Sequence, residues 1–273
     1  MNKDVLTTRS KEIKKNIVKM ICEAKSGHPG GSLSCADIIT YLYFEKMKTD
    51  VNNPKDPARD RFVLSKGHAA PSLYAVLAEK GFFPKDELNN LRKLGAMLQG
   101  HPDSKNVPGV DVSTGSLGQG ISNAVGIALG LRLDNSQSKV YVMLGDGELQ
   151  EGLVWEAAMS AAHYKLGNLI AVVDNNGLQI DGKNEDVMGI APLDEKWRSF
   201  GWNVISCEGH DFDDIDRAFN EAEKCTDKPS VIIAQTVKGK GVSFMEHQAG
   251  WHGQAPSVEQ KEKALVELSG EVK

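Results

Sequence analysis

The sequence has few cysteines and no pair of them at metal-binding spacing. Its four cysteines are spread along the 273 residues, at Cys22, Cys35, Cys207 and Cys225. A disulfide scaffold or a zinc site normally needs more cysteines, or close pairs such as CxxC. The pattern argues against both, and we expect reduced, buried thiols in a cytoplasmic protein.

The chain also lacks an excess of positive charge and a long apolar segment. It has 32 Lys and Arg against 37 Asp and Glu, which gives a net charge of −5 and no electrostatic footprint for nucleic acid. The densest basic stretch, residues 9–19, carries apolar residues at helical spacing, as an amphipathic helix does. No stretch could span a membrane, and the start, MNKDVLTTRS, lacks the apolar core of a secretory signal. We therefore expect neither a nucleic-acid partner nor a membrane.

No internal repeat or low-complexity linker divides the chain, so we interpret residues 1–273 as one domain. From residue 118 onward, helical patterns alternate with short strands that are apolar on both faces. This alternation is typical of an α/β fold, a mostly parallel sheet covered by helices on both faces. Ser34 and Asp37 further suggest a capping box at the start of a helix that runs through Tyr43. The predicted strands are 62–65, 140–144, 169–174, 203–206 and 230–235, and the predicted helices are 69–80, 86–94, 118–133, 149–164, 212–224 and 257–268.

Two predicted strands end in loops that could hold a metal and a phosphate group. The first strand runs into Gly145-Asp146-Gly147-Glu148, and the second into Asn175-Asn176-Gly177-Leu178. Ligands of such sheets bind at the carboxyl ends of the strands, and consecutive strands are usually neighbours. Asp146 would supply a hard oxygen, Asn176 a side-chain carbonyl and Leu178 a backbone carbonyl. Such a sparse oxygen set suits Mg²⁺, which takes its remaining ligands from water and substrate phosphates.

Other phosphate motifs do not fit the sequence. There is no GxxxxGK[ST] motif, which excludes a P-loop. Gly145 and Gly147 begin a GxGxxG motif, but Gln150 stands where the third glycine should be. Gly118 and Gly120 begin another, which Asn123 breaks. A nicotinamide-type dinucleotide site is therefore unfavoured.

The GDG at 145–147, followed by the 27 residues 148–174 and then Asn175-Asn176, resembles the thiamine diphosphate motif. Other stretches are similar to the transketolase family in particular, and they extend over almost the whole chain. They are SGHPGGSLS (26–34), LSKGHAAPSLYA (64–75), GHPD (100–103), TGSLGQGISNAVG (114–126), GDGELQEG (145–152), LGNLIAVVDNNGLQIDG (166–182) and WHG (251–253).

The resemblance implies thiamine diphosphate and Mg²⁺ as cofactors and assigns roles to individual residues. It implies that the metal is held by Asp146, Asn176 and the Leu178 carbonyl. It assigns cofactor contacts to His68, Gly115, Leu117, Asp146, Gly147, Asn176, Ile180 and His252. It assigns catalytic roles at the diphosphate, in the substrate channel or between paired sites to His28, His68, His101, His252, Glu151 and Glu156. One departure is Ser116, where many transketolases have proline, which bears on the stiffness of that loop.

Residue chemistry by itself supports some of these roles and leaves others open. His28, His68 and His101 each follow a glycine, and all four histidines fall in predicted loops, which favours a site role over a core role. His163 and His210 are interpreted as structural. Glu151 and Glu156 alone would be read as ordinary exposed acids, and only the resemblance makes them a proton relay. Lys238 and Lys240 could attract a phosphate or lie in a solvated loop.

The resemblance also implies a missing partner. In this family the carboxylate that activates thiamine comes from a pyrimidine-binding domain, and the 273 residues contain no room for one. We therefore expect the N-terminal subunit of a split transketolase, paired with a C-terminal pyrimidine-binding subunit, as an α2β2 assembly acting on sugar phosphates, with the pentose phosphate pathway as its setting.

Three alternative functions stay open at this point. One is a split transketolase-like enzyme of a sugar-catabolic pathway with a different ketose phosphate. Another is a different thiamine-dependent transfer, such as deoxyxylulose-phosphate synthesis or, less favoured, a 2-oxo acid dehydrogenase E1 component. The third, a non-catalytic cofactor-binding module, is disfavoured because Asp146, Asn176 and the four histidines are intact.

Overall fold

The computed structural model describes residues 1–270, and a five-stranded parallel sheet lies at its centre. The strand order is β1-β2-β3-β7-β6, with every neighbouring pair parallel. A separate antiparallel hairpin, β4–β5, follows β3. The strands are β1 Arg61–Leu64, β2 Val140–Gly145, β3 Leu169–Asn175, β4 Leu178–Gln179, β5 Gly182–Lys183, β6 Asn203–Glu208 and β7 Ser230–Gln235.

Helices connect the strands and cover both faces of the sheet. They are α1 Lys3–Ala24, α2 Pro29–Ser34, α3 Ala36–Tyr41, α4 Ala70–Lys80, α5 Gln119–Leu133, α6 Gly152–His163, α7 Asn184–Val187, α8 Leu193–Ser199, α9 Phe212–Lys224 and α10 Val258–Ser269. Short 3₁₀ turns lie at Gly67–Ala69, Lys85–Asn90, Gly147–Gln150 and Ala249–His252, and a π-helical turn at Leu42–Lys46 extends α3.

Alternate residues of each strand enter two apolar layers. On β2, Tyr141 and Met143 face the layer formed with α1, α3, α4 and α9, whereas Val142 and Leu144 face the layer formed with α5, α6 and α8. A strand that is buried on both faces needs apolar residues at every position, which is why these strands read as continuous apolar runs. The predicted α/β class, with a parallel sheet between two helical layers, is confirmed.

The predicted elements are mostly found, with four differences. The capping box is wrong, because the Ser34 hydroxyl donates to the Asp174 carboxylate and the Asp37 carboxylate accepts from Ser10 and Lys14 instead of capping α3. The helix predicted at 86–94 is only the 3₁₀ turn Lys85–Asn90. The helix predicted from 149 begins at Gly152, after a 3₁₀ turn. The short helices α2, α7 and α8 and the β4–β5 hairpin were not predicted.

The register of β2 and β3 brings the two predicted loops together. Gly145 pairs with Asp174, so both strands end at the same level of the sheet. The Asp146 N–H donates to the Asp174 carbonyl at 3.3 Å, which continues the ladder into the loop. The prediction that these loops are neighbours is confirmed.

Within residues 1–270, no helix combines the length and the apolar character that crossing a bilayer requires.

The close approach of α5 to β1 depends on a glycine. A Cβ at Gly120 would lie 2.5 Å from the Ser65 Cα, whereas a Cβ at Gly126, on the same helix, would meet no atom within 4 Å. We expect Gly120→Ala to lower the free energy of unfolding by about 1–3 kcal/mol because the backbone has to shift. Gly126→Ala, the matched control, should raise it by roughly 0.5–1 kcal/mol through helix propensity. Urea unfolding of both variants checks this, and equal effects would contradict it.

Candidate cofactor site

The Asp146 carboxylate connects the two strand-end loops. Its Oδ2 accepts from the Gly177 N–H at 2.5 Å and its Oδ1 accepts from the Gly147 N–H at 2.8 Å. Burial, together with the nearby Asp174 charge, raises the pKa of Asp146 to about 6, and the two backbone donors oppose that shift. The carboxylate is thus oriented in advance while its charge is only partly compensated.

The Asn176 and Leu178 oxygens lie in the second loop. The Asn176 Oδ1 accepts from the Leu178 N–H at 3.1 Å, an Asx turn that directs this amide. The Leu178 carbonyl accepts from the Lys238 ammonium at 3.1 Å. Asp146, Asn176 and Leu178, the three predicted metal ligands, all line one cavity of about 300 Å³.

His68 and His252 line this cavity, and His28 packs against both of them. The ring centroids of His28, His68 and His252 lie 5.1–5.4 Å apart. Burial and neighbouring cations lower the pKa of His28 to about 4 and that of His252 to about 3, and they hold the pKa of His68 well below its usual value. The cluster is therefore neutral at pH 7, and each ring can both donate and accept a hydrogen bond.

His101, the fourth predicted histidine, lies apart from these ring contacts. Its ring packs on the backbone at Gly115, where an added Cβ would be 3.2 Å from the ring. Burial and the charge of Arg92 lower its pKa. The charges of Arg92 and His101 in turn help to lower the pKa of His28. Arg92 and His101 therefore lie close to the cluster of His28, His68 and His252.

All of the predicted cofactor contacts except Gly115 line this cavity. Along the cavity lie His68, Leu117, Asp146, Gly147, Asn176, Leu178, Ile180, Glu151 and His252. Gly115 does not line the cavity and is instead in contact with His101. Ile180 lines the cavity, yet it is 64% exposed. A cofactor bound as predicted would therefore cover this exposed apolar side chain.

The two predicted glutamates occupy different places. Glu151 is the exposed N-cap of α6 at the cavity edge, and Glu156 is exposed one turn further along, away from the cavity. No contact joins them among the described residues. The geometry brings only Glu151 to the site.

A buried ion pair at the cavity floor was not anticipated from the sequence. Lys66 and Asp174 form a salt bridge with side chains 2% and 0% exposed, and Lys66 also donates to the Gly31 carbonyl at 2.8 Å. Burial alone would lower the pKa of Lys66 and raise that of Asp174, but their mutual attraction outweighs it in both. Ser34 and Thr236 also donate to Asp174. No local signal marks this pair, since the two residues are 108 positions apart.

Lys238 is buried, which decides between its two predicted environments. Its side chain is 2% exposed, and its ammonium donates to the Leu178 carbonyl and approaches His252 Nδ1 at 3.1 Å. Burial and the Lys66 charge lower its pKa to about 8. Lys240, by contrast, is partly exposed and pairs with Glu246. The solvated-loop interpretation holds for Lys240 and is wrong for Lys238.

The interpretation of His210 as structural fits its contacts. Its Nδ1 lies 2.7 Å from the Asp37 carboxylate, and its Nε2 accepts from the Val237 N–H at 2.9 Å. The ring therefore ties the segment that carries Lys238 to α3. The glycine before it, Gly209, places the turn tightly against Thr236.

A second and larger cavity, of about 640 Å³, lies on the other side of the Asn175–Leu178 segment. It is lined by the ends of β3, β6 and β7 and by Asn184. The predicted residues other than Asn176 and Leu178 do not reach it. We therefore place the cofactor site in the smaller cavity, where the charged groups converge.

The sheet and this charged cavity at its carboxyl edge define an α/β protein with a site for an anionic ligand. Residues 8–268 match the family described as transketolase, thiamine diphosphate binding domain, and the chain belongs to that family.

Two relatives, each named as one subunit of a transketolase, match almost end to end. The chain is 43% identical over 269 residues to a subunit of the apulose-4-phosphate transketolase of Phocaeicola vulgatus, covering 98% of this chain and 95% of that protein. It is 46% identical over 259 residues to the 6-deoxy-6-sulfo-D-fructose transketolase subunit SqwG of a Clostridium species, covering 95% and 94%. The similarity to transketolase, and to subunits of it, is thus confirmed.

Undivided transketolases match over a part of their length. The solved structure of the Campylobacter jejuni transketolase superposes with a TM-score of 0.92 at 34% identity, covering 98% of this chain and 43% of that one. The rat transketolase is 43% identical, with 40% of its length covered. The fold described above is therefore that of the thiamine diphosphate-binding part of a transketolase.

Proposed function

We propose that the chain is the diphosphate-binding subunit of a two-subunit transketolase, which moves a two-carbon ketol unit from a ketose phosphate to an aldose phosphate. The observation that carries this proposal is the meeting of the β2 and β3 ends, where Asp146 bonds to the loop of Asn176. The end-to-end match to proteins named as transketolase subunits supports the division into two polypeptides.

Mg²⁺ would be held by Asp146, Asn176 and the Leu178 carbonyl. These are hard oxygen donors, one of them anionic, which is the donor set that Mg²⁺ takes together with phosphate and water. The residues present fit such an ion, because the buried Asp146 carboxylate has a charge that is only partly compensated and lines the same cavity as Asn176 and Leu178. The buried Asn184 side chain lies beside Gly147 and next to the Asp146 carboxylate, on the same loop.

The diphosphate would lie against Gly147, His68, His252 and Lys238. A side chain at Gly147 would come within 3.2 Å of the Gln179 side chain, so this position of the loop has little room for any residue but glycine. Lys238 supplies a buried positive charge near the same point. Bound thiamine diphosphate supplies the carbon nucleophile that accepts the ketol unit.

The histidine cluster would handle protons on the sugar. His28, His68 and His252 are neutral at pH 7, so a ring can accept a proton from one hydroxyl while its other nitrogen donates to another oxygen. His28 Nδ1 is buried and has no partner among the described residues, which leaves it free for a substrate hydroxyl. His101, next to Gly115, would extend this set toward the channel.

The pyrimidine-binding partner and a second copy would cover the face formed by α5 and α6. A Cβ would meet no atom within 4 Å at Gly126, Gly130 or Gly152. Met159, on α6, is 62% exposed. Glu151 and Glu156 lie on this face and would approach the paired site across it. We propose an α2β2 assembly on this basis. The four free cysteines agree with a reducing compartment such as the cytoplasm.

A ketose other than xylulose 5-phosphate is a second candidate substrate. The relatives that match end to end are named for apulose-4-phosphate and for 6-deoxy-6-sulfofructose. Those names favour a sugar-catabolic role at least as much as the pentose phosphate pathway. A substrate panel with these ketoses beside xylulose 5-phosphate separates the two.

The assembly proposal predicts that the purified chain is inactive alone. With Mg²⁺, thiamine diphosphate, xylulose 5-phosphate and ribose 5-phosphate, we expect turnover only after a pyrimidine-binding subunit is added. That subunit supplies the carboxylate on which thiamine activation depends. A steady-state assay with and without the partner is the measurement. Robust turnover by the chain alone would contradict the proposal.

A further inference from the structure

Glu148 is a buried carboxylate that three separate segments of the chain use as an acceptor. Its Oε1 accepts from the Gly118 N–H at 2.8 Å and from the Ser65 hydroxyl, and its Oε2 accepts from the Gly145 N–H at 3.0 Å. The residue is 2% exposed. A carboxylate without direct charge pairing is costly to bury, so these three donors must stabilise it.

Each donor immediately precedes or follows a residue that lines the cofactor cavity. Ser65 precedes Lys66, Gly118 follows Leu117, and Gly145 precedes Asp146. The three segments are the end of β1, the start of α5 and the end of β2. One side chain therefore fixes the relative positions of three walls of the cavity.

The Gly118 contact has a second consequence. Gly118, with φ of 82°, is the N-cap of the 15-residue helix α5 and lacks a side-chain cap of its own. The Glu148 carboxylate bonds its N–H and lies at the positive end of that helix, where an anion is favoured. It thereby holds Leu117, which lines the cavity, at a fixed distance from the Asp146 loop.

We propose that Glu148 is a positioning residue for the cofactor, one that sets the spacing between the Leu117 segment and the Asp146 loop. This inference rests on the proposed function of the same cavity. Three donors bond to the two oxygens of this side chain, so both oxygens must accept hydrogen bonds, and only a carboxylate allows that. A glutamine would turn an N–H₂ group toward a backbone N–H and leave at least one donor without an acceptor.

The test is equilibrium binding of thiamine diphosphate with Mg²⁺ by Glu148→Gln, in the full chain reconstituted with its partner. We expect the dissociation constant of the cofactor to rise by roughly 10- to 100-fold, the loss typical of residues that support the ligands of a metal site. Because the groups that contact the substrate remain, kcat at saturating cofactor should fall much less than the apparent cofactor affinity. Glu195→Gln, at an exposed acid on α8, is the matched control and should bind as the parent does.

Hydrogen exchange separates positioning from general destabilisation. In Glu148→Gln we expect faster exchange of the amides at 115–121 and 145–147, with unchanged rates in β6 and β7. If the variant does not fold, Ser65→Ala removes one of the same donors and should produce a smaller shift of the same kind. Unchanged cofactor affinity and exchange in a folded variant would overturn the proposal, as would a loss of protection spread evenly over the sheet.

Asp146→Ala, measured in parallel, distinguishes this inference from the function on which it rests. If Asp146→Ala loses the cofactor while Glu148→Gln keeps it, the role of Glu148 is wrong and the site stands. If neither change weakens binding, the cofactor site itself is misplaced and the inference fails with it.

Discussion

Asp146→Ala is expected to abolish metal-dependent binding of thiamine diphosphate. The change removes the anionic oxygen of the proposed metal site and the acceptor that joins the β2 loop to the Gly177 N–H. Without the metal, the negative charge of the diphosphate would face Asp174 and Glu148 with only Lys66 and Lys238 to offset it. We expect a loss beyond the roughly 10- to 100-fold that supporting residues of a metal site typically cost.

Calorimetric titration of the cofactor, with Mg²⁺ and the partner present, measures this loss. Asp134→Ala removes an exposed acid at the end of α5 and controls for the change in net charge. An Asp146→Ala protein that binds the cofactor with parental affinity would exclude Asp146 as a metal ligand. Burial raises the pKa of Asp146, so the ionised carboxylate is disfavoured in the folded chain and its removal should not unfold the protein. The folding of the variant is checked separately.

Lys66→Met is expected to be the most destabilising single change to the cavity floor. It leaves the Asp174 carboxylate, which is fully buried, without its cation. Removing one partner of a buried pair typically costs about 3–5 kcal/mol, because the remaining charge is left uncompensated. Lys183→Met, which breaks the exposed pair with Glu185, should change stability by no more than about 1 kcal/mol.

Two further observations identify the cause of the Lys66→Met defect. Adding Asp174→Asn should recover much of the lost stability, because the buried charge is then gone. The loss of stability caused by Lys66→Met should also become smaller as the pH falls. Lys66 holds the pKa of Asp174 below its usual value, so the paired carboxylate stabilises the parent above the unfolded pKa and loses that contribution in acid. Denaturant unfolding at several pH values measures both, and a defect independent of pH would show that the ion pair is not its cause.

The central strands could be predicted from the sequence because β2, β3 and β7 are almost continuous apolar runs. The predicted bounds of β7, 230–235, agree with the structure, and β2 and β3 differ by one residue at the carboxyl end. The placement of β7 between β3 and β6 could not be read locally, because it depends on which strands pair. The helix α2 was missed since its sequence, PGGSLS, has two glycines, and packing rather than propensity holds it.

The candidate site was predictable where the chemistry is local. GDG and NN end consecutive strands, so Asp146 and Asn176 could be placed together from spacing alone. The Lys66–Asp174 pair could not, because it joins distant segments through the fold. Lys238 stands next to Gly239, which suggested a loop as readily as a site. Its burial depends on Gly30, where an added Cβ would lie 2.9 Å from the Lys238 side chain.

The capping box predicted at Ser34 and Asp37 was wrong for the same reason, because contacts with distant segments of the chain decide where these side chains lie. Ser34 and Asp37 have the right residue types at the right spacing, yet both side chains have stronger partners in the folded chain. Ser34 donates to Asp174, and Asp37 accepts from Lys14 at 2.8 Å and lies against His210. A charged partner in a buried setting is favoured over a local backbone contact. Polar residues next to a functional cavity are therefore the ones whose local signals are least reliable.

The proposed cofactor site depends on one divalent ion shared by the ends of β2 and β3. Crystals of the complete assembly grown with Mn²⁺ and thiamine diphosphate would show that ion directly by anomalous scattering, since Mn²⁺ accepts the same oxygen ligands. We predict a single peak per site at coordination distance from the Asp146 carboxylate, the Asn176 side-chain oxygen and the Leu178 carbonyl. A peak bound elsewhere, with Asp146 and Asn176 too far apart to share it, would contradict the proposed site.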